Sequence, residues 1–444
     1  VNVRPGRNLF YCALAGVGVV ALSFVFDPVL MLLTPLALAA TVLVVADFVL
    51  LRRIPAGVKL KRQMPQAAGR GAHFEIALNF TNEGTQKLSG AQRDLLPLEA
   101  EPNYAIQALE IPAGGSVRAT QRLQIPVRGK FAFGPVWLRA QGRFGMLEQQ
   151  WSVACPGEIK VLPATALSDD SLEKTERSEL RALEKKSRAR LKGDGLEFES
   201  LSEFRDGDDP RRIDWRTSAR MAHPVVRRFQ IEQHRDMLIV LDCGRLMGIA
   251  ADYGDQKGTK LDRAVDAALM LSHVALEKGD RCGLALFDDK VIGFMPPQAG
   301  QAAHKAILDN LYNVQSRLRE ANFAAMFATL QSRQQKRSLV VILSDLVDAE
   351  TSEQFRGALV ALAKRHVVIF AALRTPLLSR LLQESVDSTL DVTRKGVALR
   401  LLRAREKALH SLDHTGVHVL DVEPRQLTVP LVNKYVALRE RNVL

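Results

Sequence analysis

The chain has 444 residues, 47% of them hydrophobic, and carries 61 Lys and Arg against 49 Asp and Glu for a net charge of +12. Acidic residues are interspersed throughout, and no basic stripe interleaved with aromatics and no zinc-finger spacing occurs, which argues against nucleic acid as a partner. The four cysteines (Cys12, Cys155, Cys243, Cys282) are scattered without a CxxC pair, the usage of reduced, buried thiols rather than of a disulfide framework.

The first run, Leu9 to Phe26, has no charged side chain; a second spans Val29 to Ala46 and continues past Asp47 through Leu51. Each is about as long as an apolar helix must be to cross a hydrocarbon core of roughly 30 Å. Asp27-Pro28 between them suits a tight turn. Residues 1–53 are therefore expected to form a transmembrane hairpin that anchors the chain in a membrane. Arg4 and Arg7 precede the first span, and Arg52 and Arg53 follow the second. The positive-inside rule then makes both ends cytoplasmic, in a multi-pass protein of the inner (plasma) membrane whose soluble domains face the cytoplasm. A basic balance beside an anionic leaflet agrees with that placement.

Residues 54–165 have a period of two. Phe74, Ile76, Leu78 and Phe80 alternate with Glu75, Ala77 and Asn79; Val117, Ala119, Leu123 and Ile125 share one parity, as do Val136, Leu138 and Ala140. With breakers such as Asn82-Glu83-Gly84 and Arg128-Gly129-Lys130 between them, the runs predict a small antiparallel β-sandwich. Residues 166–235 follow as a connector: a charged stretch with Glu173/Arg177 and Glu184/Arg188 at i,i+4, which predicts a solvated helix, then a segment dense in Asp and Arg.

From residue 236 to 444 apolar strands alternate with amphipathic helices. The strands are Met237–Leu241, Cys282–Phe287, Leu339–Leu343, Val367–Ala371 and Val417–Leu420. Leu261, Ala264, Val265, Ala268 and Leu269 recur at 3–4 spacing between the first two. The pattern predicts a doubly wound α/β domain with its ligand site at the strand carboxyl ends, where Asp242 and Ser344-Asp345 lie.

That arrangement resembles the von Willebrand factor A domain, in which a metal site is assembled from D-x-S-x-S after the first strand, a Thr from a later loop and an Asp after the fourth strand. Asp242 matches the first Asp and Asp345 the last. Gly244 and Leu246 stand where the serines belong, and Arg319–Phe323 offers no Thr, so the resemblance implies a degenerate site. Mg²⁺ needs several oxygens in near-octahedral array, and two carboxylates alone hold it poorly. The stretch Gly193-Asp194-Gly195-Leu196-Glu197-Phe198, continued by Leu201-Ser202-Glu203-Phe204-Arg205 and Asp206 to Arg220, resembles the signature of the bacterial family called domain of unknown function 58. Arg128–Pro135 and Arg143–Leu147 resemble that family's β-rich part. The resemblance implies a membrane-anchored chain with a von Willebrand A-like domain, associated with MoxR-type AAA+ ATPases in the maturation or assembly of other proteins.

Within the signature, Asp208 or Asp209 is placed to cap a helix with Pro210 at its first position. Arg205, Asp208, Asp209, Arg211, Arg212, Asp214, Trp215 and Arg216 are the candidate binding residues. The reading preferred over binding of an acidic partner or anion is a clamp in which Asp–Arg pairs fix geometry around an apolar body of Ile213 and Trp215. No Walker A loop, G-x-S-x-G elbow or H-E-x-x-H occurs, and Gly416 disrupts the alignment of His410, His414 and His418. The sequence thus favours a cytoplasm-facing interaction or scaffold protein with no catalytic residue, over a divalent-metal-dependent adhesion module and over a hydrolase using the Asp-rich signature.

Overall fold

The computed structural model describes residues 2–23, 31, 33–52, 57–102, 106–163, 197–204, 213–221, 223–230, 235–251, 258–345, 349–412 and 415–441. The chain divides into two units, Val1–Leu162 and Pro163–Leu444.

The first unit opens with β1 (Asn2–Pro5), α1 (Arg7–Ser23) and α2 (Leu33–Leu51). Then come β2 (Val58–Gln63), β3 (Ala67–Gly69), β4 (His73–Asn82), β5 (Leu88–Asp94), β6 (Ile106–Ile111) and β7 (Ser116–Gln124). β8 (Gly129–Phe133), β9 (Val136–Gln141), β10 (Leu147–Val153) and β11 (Gly157–Leu162) complete it. The sheets run β1-β10-β9-β5-β6, β2-β4-β7 and β3-β11-β8. Because side chains alternate across a strand, Leu78 and Phe80 of β4 meet Leu88, Val136, Leu138 and Trp151 in one core. Phe74, Ile76, Leu123, Phe133 and Ile159 fill a second.

The expected transmembrane hairpin is not found: among the described residues no helix is long and apolar enough to cross a membrane. The described part of α1 has 17 residues, which rise about 26 Å at 1.5 Å each, against a hydrocarbon core of roughly 30 Å. The ends of both apolar runs belong to the β domain. Arg4, read as a flanking charge, pairs with Glu148 in the β1–β10 ladder. Asp47 of α2 is fully buried and accepts the backbone N–H groups of Phe144 (2.9 Å), Met146 (2.8 Å) and Leu147 (3.3 Å). Leu51 lies in the core with Phe80 and Leu138. The turn Phe144–Leu147 also takes Gly6 N–H on Met146 O at 2.8 Å and Asn8 Nδ2 on Phe144 O at 2.8 Å. One β turn therefore fastens the start of α1 and the end of α2, and the multi-pass inner-membrane placement loses its structural basis.

In the second unit β12 (Glu197–Glu203) pairs antiparallel with β13 (Val225–Gln230), and α3 (Trp215–Met221) lies between them in sequence. The α/β part follows as β14 (Asp236–Asp242), α4 (Lys260–Glu277), β15 (Arg281–Phe287), β16 (Val291–Gln298), α5 (Gly300–Leu311), α6 (Phe323–Arg333) and β17 (Leu339–Ser344). It ends with α7 (Ala349–Ala363), β18 (Val367–Leu373), α8 (Pro376–Gln383), α9 (Thr389–His410), β19 (His418–Val422) and α10 (Thr428–Glu440). The sheet order is β16-β15-β14-β17-β18-β19, with only β16 antiparallel to its neighbour. All seven residues of β14 are buried. Met237, Ile239 and Leu241 face a core shared with α4, α5 and α10; Leu238 and Val240 face the opposite core, shared with α6 and α7. Each such aliphatic side chain contributes about 1.5–3 kcal/mol by leaving water. The chain leaves β14 toward β15 on one side and returns to it with β17 on the other, so the strand order reverses at β14. In open α/β sheets that reversal opens the ligand crevice at the carboxyl ends of the strands.

Candidate functional site

The carboxyl ends of β14 and β17 place Asp242, Ser344 and Asp345 together, all buried. Ser344 donates its hydroxyl to Asp242 Oδ2 at 2.5 Å, and Gly244 N–H donates to Oδ1 at 2.7 Å. A Cβ at residue 244 would stand 3.0 Å from both Asp242 Oδ1 and Arg319 O, so the close loop favours glycine where a hydroxyl residue was expected. Burial, with smaller contributions from the charges of Asp345 and Asp288, pushes the Asp242 carboxyl up to about 6 against the pull of its two hydrogen bonds.

Lys260, the first residue of α4, supplies a cation at the same end. Its helix starts on a capping box: the Thr259 hydroxyl accepts Asp262 N–H, and the Asp262 carboxylate accepts Thr259 N–H. The Lys260 side chain is fully buried, with its ammonium bonded to Asp345 Oδ2 and, at 2.6 Å, to Thr375 Oγ1. Burial lowers the Lys260 pKa, while the Asp345 charge opposes that change. Asp345 Oδ1 accepts Arg405 Nη1 from α9, and Arg405 Nη2 reaches Asp421 Oδ1 at 2.9 Å. Arg374 closes the row with Nε 3.0 Å and Nη2 2.9 Å from Asp421 Oδ2. Lys260, Asp345, Arg405, Asp421 and Arg374 thus alternate in charge across the ends of β17, β18 and β19. Nearby, Asp288 is held by Arg317 at 3.2 Å, and Arg319 bonds Asp289 and holds that carboxyl below its usual range.

Residues 200–409 match a family model described as protein of unknown function DUF58. The DUF58 match runs from within β12 to the last turn of α9, so it takes in Asp242, Lys260, Asp345, Thr375 and Arg405. Uncharacterized proteins of Mycobacterium bovis and Mycobacterium tuberculosis are 25% identical over 181 residues, 40% of this chain and 55% of each relative. The chain therefore spans about half the length of the curated relatives it matches. Among solved structures, proximal thread matrix protein 1 from the mussel byssus is 11% identical over 46% of each chain at a TM-score of 0.26. A CARDB domain from Pyrococcus furiosus is 9% identical, covering 24% of this chain and 87% of its own, at a TM-score of 0.17. Neither likeness bears on the site.

Within the DUF58 match, the signature residues Arg205, Asp208, Asp209, Arg211 and Arg212 lie outside the described residues, as does the proposed cap at Asp208 or Asp209. Asp214 is described, and it caps α3: its Oδ1 accepts Arg216 N–H and Thr217 N–H at 3.2 Å each, and its carbonyl accepts Ser218 N–H at 2.8 Å. Its own N–H bonds Val225 O at 2.9 Å, and Ser218 Oγ accepts Val225 N–H at 2.9 Å, which ties the helix to β13. Trp215 is 71% exposed rather than packed as the apolar body of a clamp. The first turn of a short helix sends its side chain outward while the backbone is held from the Asp214 side. Loss of a cap of this kind costs about 0.5–2 kcal/mol, so Asp214→Ala is expected to lower stability by about 1 kcal/mol in urea unfolding. A loss of roughly 3–5 kcal/mol would instead mark a buried ion-pair clamp.

Chemically, a carboxyl titrating near 6 has the range of a general acid–base, yet Asp242 is 2% exposed with hydrogen bonds on both oxygens. Asp345 likewise has both oxygens occupied by cations of the chain itself. Asp242 and Asp345, the pair read as a degenerate Mg²⁺ site, therefore offer no open set of oxygens. Among the described residues no group of three or more His, Cys, Asp and Glu is placed to hold a metal ion. His410 ends α9 and His418 begins β19, while His414 lies outside the described residues. Lys260, Thr375, Arg405 and Asp421 were not legible as site residues. Lys260 reads as the polar start of an amphipathic helix, and Arg405 as one charge among many on α9.

Proposed function

We propose that the chain is an interaction protein rather than an enzyme, that residues 236–444 form a von Willebrand factor A-like platform, and that its partner is a MoxR-type AAA+ ATPase. Together they act in the maturation or assembly of other proteins. One observation carries this reading. The crevice end of the sheet, where a parallel α/β domain places ligand chemistry, is filled by the buried Lys260 ammonium and the ion pairs beyond it. Carboxylates satisfied in that way neither gather a metal nor reach a substrate, but they hold loops and helix ends rigid for a partner to dock against. The test combines the full chain with a MoxR-type ATPase from the same source, with and without a non-hydrolysable ATP analogue, in sedimentation velocity. A saturable complex in at least one nucleotide state is the expected result. No complex in either state would contradict the partner, and turnover of ester or phosphoester substrates that is lost in Asp242→Asn would contradict the non-enzymatic reading.

A further inference from the structure

Helices α4 and α5 share one core, in which Leu269 and Leu271 of α4 lie with Ile307 and Leu311 of α5. At the solvent edge of that contact each helix brings one histidine to the other, His273 from α4 and His304 from α5. Their ring centres are 5.5 Å apart and the ring planes are inclined by 55°, so the rings are not stacked. Two imidazoles on one tetrahedral metal ion, each with a nitrogen about 2.0–2.1 Å from it, place their ring centres about 5 Å apart. The two helices therefore hold the rings close to the separation that a shared ion requires.

Hydrogen bonding decides which nitrogen of His304 is available. The Ser272 hydroxyl donates to Leu269 O at 2.8 Å. A serine hydroxyl has a single hydrogen, so in its 3.4 Å contact with His304 Nδ1 the ring N–H is the donor and Ser272 Oγ the acceptor. Nε2 then keeps its lone pair. Metal-bound imidazoles are oriented in this way, by a hydrogen bond from the ring nitrogen that does not hold the metal. Burial, aided by His273, lowers the His304 pKa, which favours the neutral ring that metals bind. His273 Nε2 stands 3.5 Å from Glu277 Oε1, one turn further along α4. That carboxylate offsets the charge of an incoming cation. The His273 side chain is 40% exposed, so an ion enters from solvent without opening the core.

We propose that His273 and His304 form a binding site for a divalent transition-metal ion of the Zn²⁺ type, with Glu277 beside it and water completing the coordination. Imidazole nitrogen suits Zn²⁺, Cu²⁺ or Ni²⁺, whereas Mg²⁺ takes oxygen ligands. The two rings and the carboxylate do not converge as a three-residue set would, so the ion is carried by the two imidazoles. That is fewer protein ligands than a structural or catalytic zinc centre has, and binding is correspondingly weak and reversible. The ion acts as a clip between α4 and α5. It bears on the helix that supplies the buried ammonium, about 20 Å along α4 from Lys260 at 1.5 Å per residue.

The test is isothermal titration of Zn²⁺ into the full chain after treatment with EDTA and dialysis into metal-free buffer. One saturable site per chain is expected, weakened at least about tenfold in His273→Gln and in His304→Gln, and Mg²⁺ should not fill it. Zn²⁺ should also raise the melting temperature of wild type by mass action and leave that of both variants nearly unchanged. His273→Gln alters a side chain at the solvent edge, so its circular dichroism should match wild type even if His304→Gln loosens the helix contact. No saturable Zn²⁺ site in wild type, or an affinity retained in His273→Gln, would overturn the proposal. So would a melting shift of equal size in wild type and His273→Gln, which would place the ion on other groups such as the thiols.

Discussion

Lys260→Met should destabilise the chain by roughly 3–5 kcal/mol, the cost of leaving a buried charge without its counter-ion. Asp345 is fully buried and lies between Lys260 and Arg405. With Lys260 gone, one of its oxygens loses its cation and Thr375 loses its donor. The size of the loss separates this pair from an exposed one, for which about 0–1 kcal/mol is expected. The double variant Lys260→Met/Asp345→Asn removes both charges while the Asn side chain still offers an oxygen to Arg405. It should be damaged far less than the sum of the single variants, because residues sharing one network couple. Urea unfolding of the four proteins checks this. Additive losses, or a single-variant loss below about 1 kcal/mol, would show that the ammonium and carboxylate do not hold each other.

The second large effect is a pH dependence owed to Asp242. Its folded pKa of about 6 lies above the usual value of about 3.9 for an unfolded Asp. Between those values the folded state binds the extra proton, so stability falls as pH rises from about 4 to about 6 and levels off above. Two units correspond to on the order of 2–3 kcal/mol. Asp242→Asn removes the titrating group while Gly244 N–H keeps an oxygen to donate to, and the Ser344 hydroxyl can turn to accept from the amide. Subtracting the variant's stability-versus-pH curve from that of wild type should leave a downward step across that window. A flat difference curve would contradict the buried, proton-favouring setting of this carboxyl.

Much of the α/β sheet was legible because buried parallel strands leave continuous apolar runs. Met237–Leu241, Leu339–Leu343 and Val367–Ala371 fall inside β14, β17 and β18. In the β-rich unit, the alternation of Phe74, Ile76, Leu78 and Phe80 reports the buried face of β4. The same reasoning failed at residues 1–53. Apolar length alone does not distinguish a span from helices whose ends are fastened by a β turn, and the buried partners of Asp47 lie about a hundred residues away in sequence. Asp242 and Asp345 were legible from their positions at strand ends. Lys260 was not, because its meaning comes from Asp345, 85 residues on, and from Thr375, 115 residues on. Trp215 was misplaced for a related reason: an aromatic in a charged segment reads as an anchor, whereas here the backbone of α3 is held through Asp214 and Ser218.

Lys260 supplies from within the chain the positive charge that the carboxylates at the end of the sheet require. Melting of the full chain in millimolar Mg²⁺ and in EDTA distinguishes this internal cation from a bound metal ion, since a ligand bound only by the folded state raises the melting temperature by mass action. Wild type should melt at one temperature in both buffers, and so should Asp345→Asn, although the variant melts lower overall. A rise with Mg²⁺ in wild type that disappears in Asp345→Asn would show that a metal ion, and not Lys260, neutralises the site.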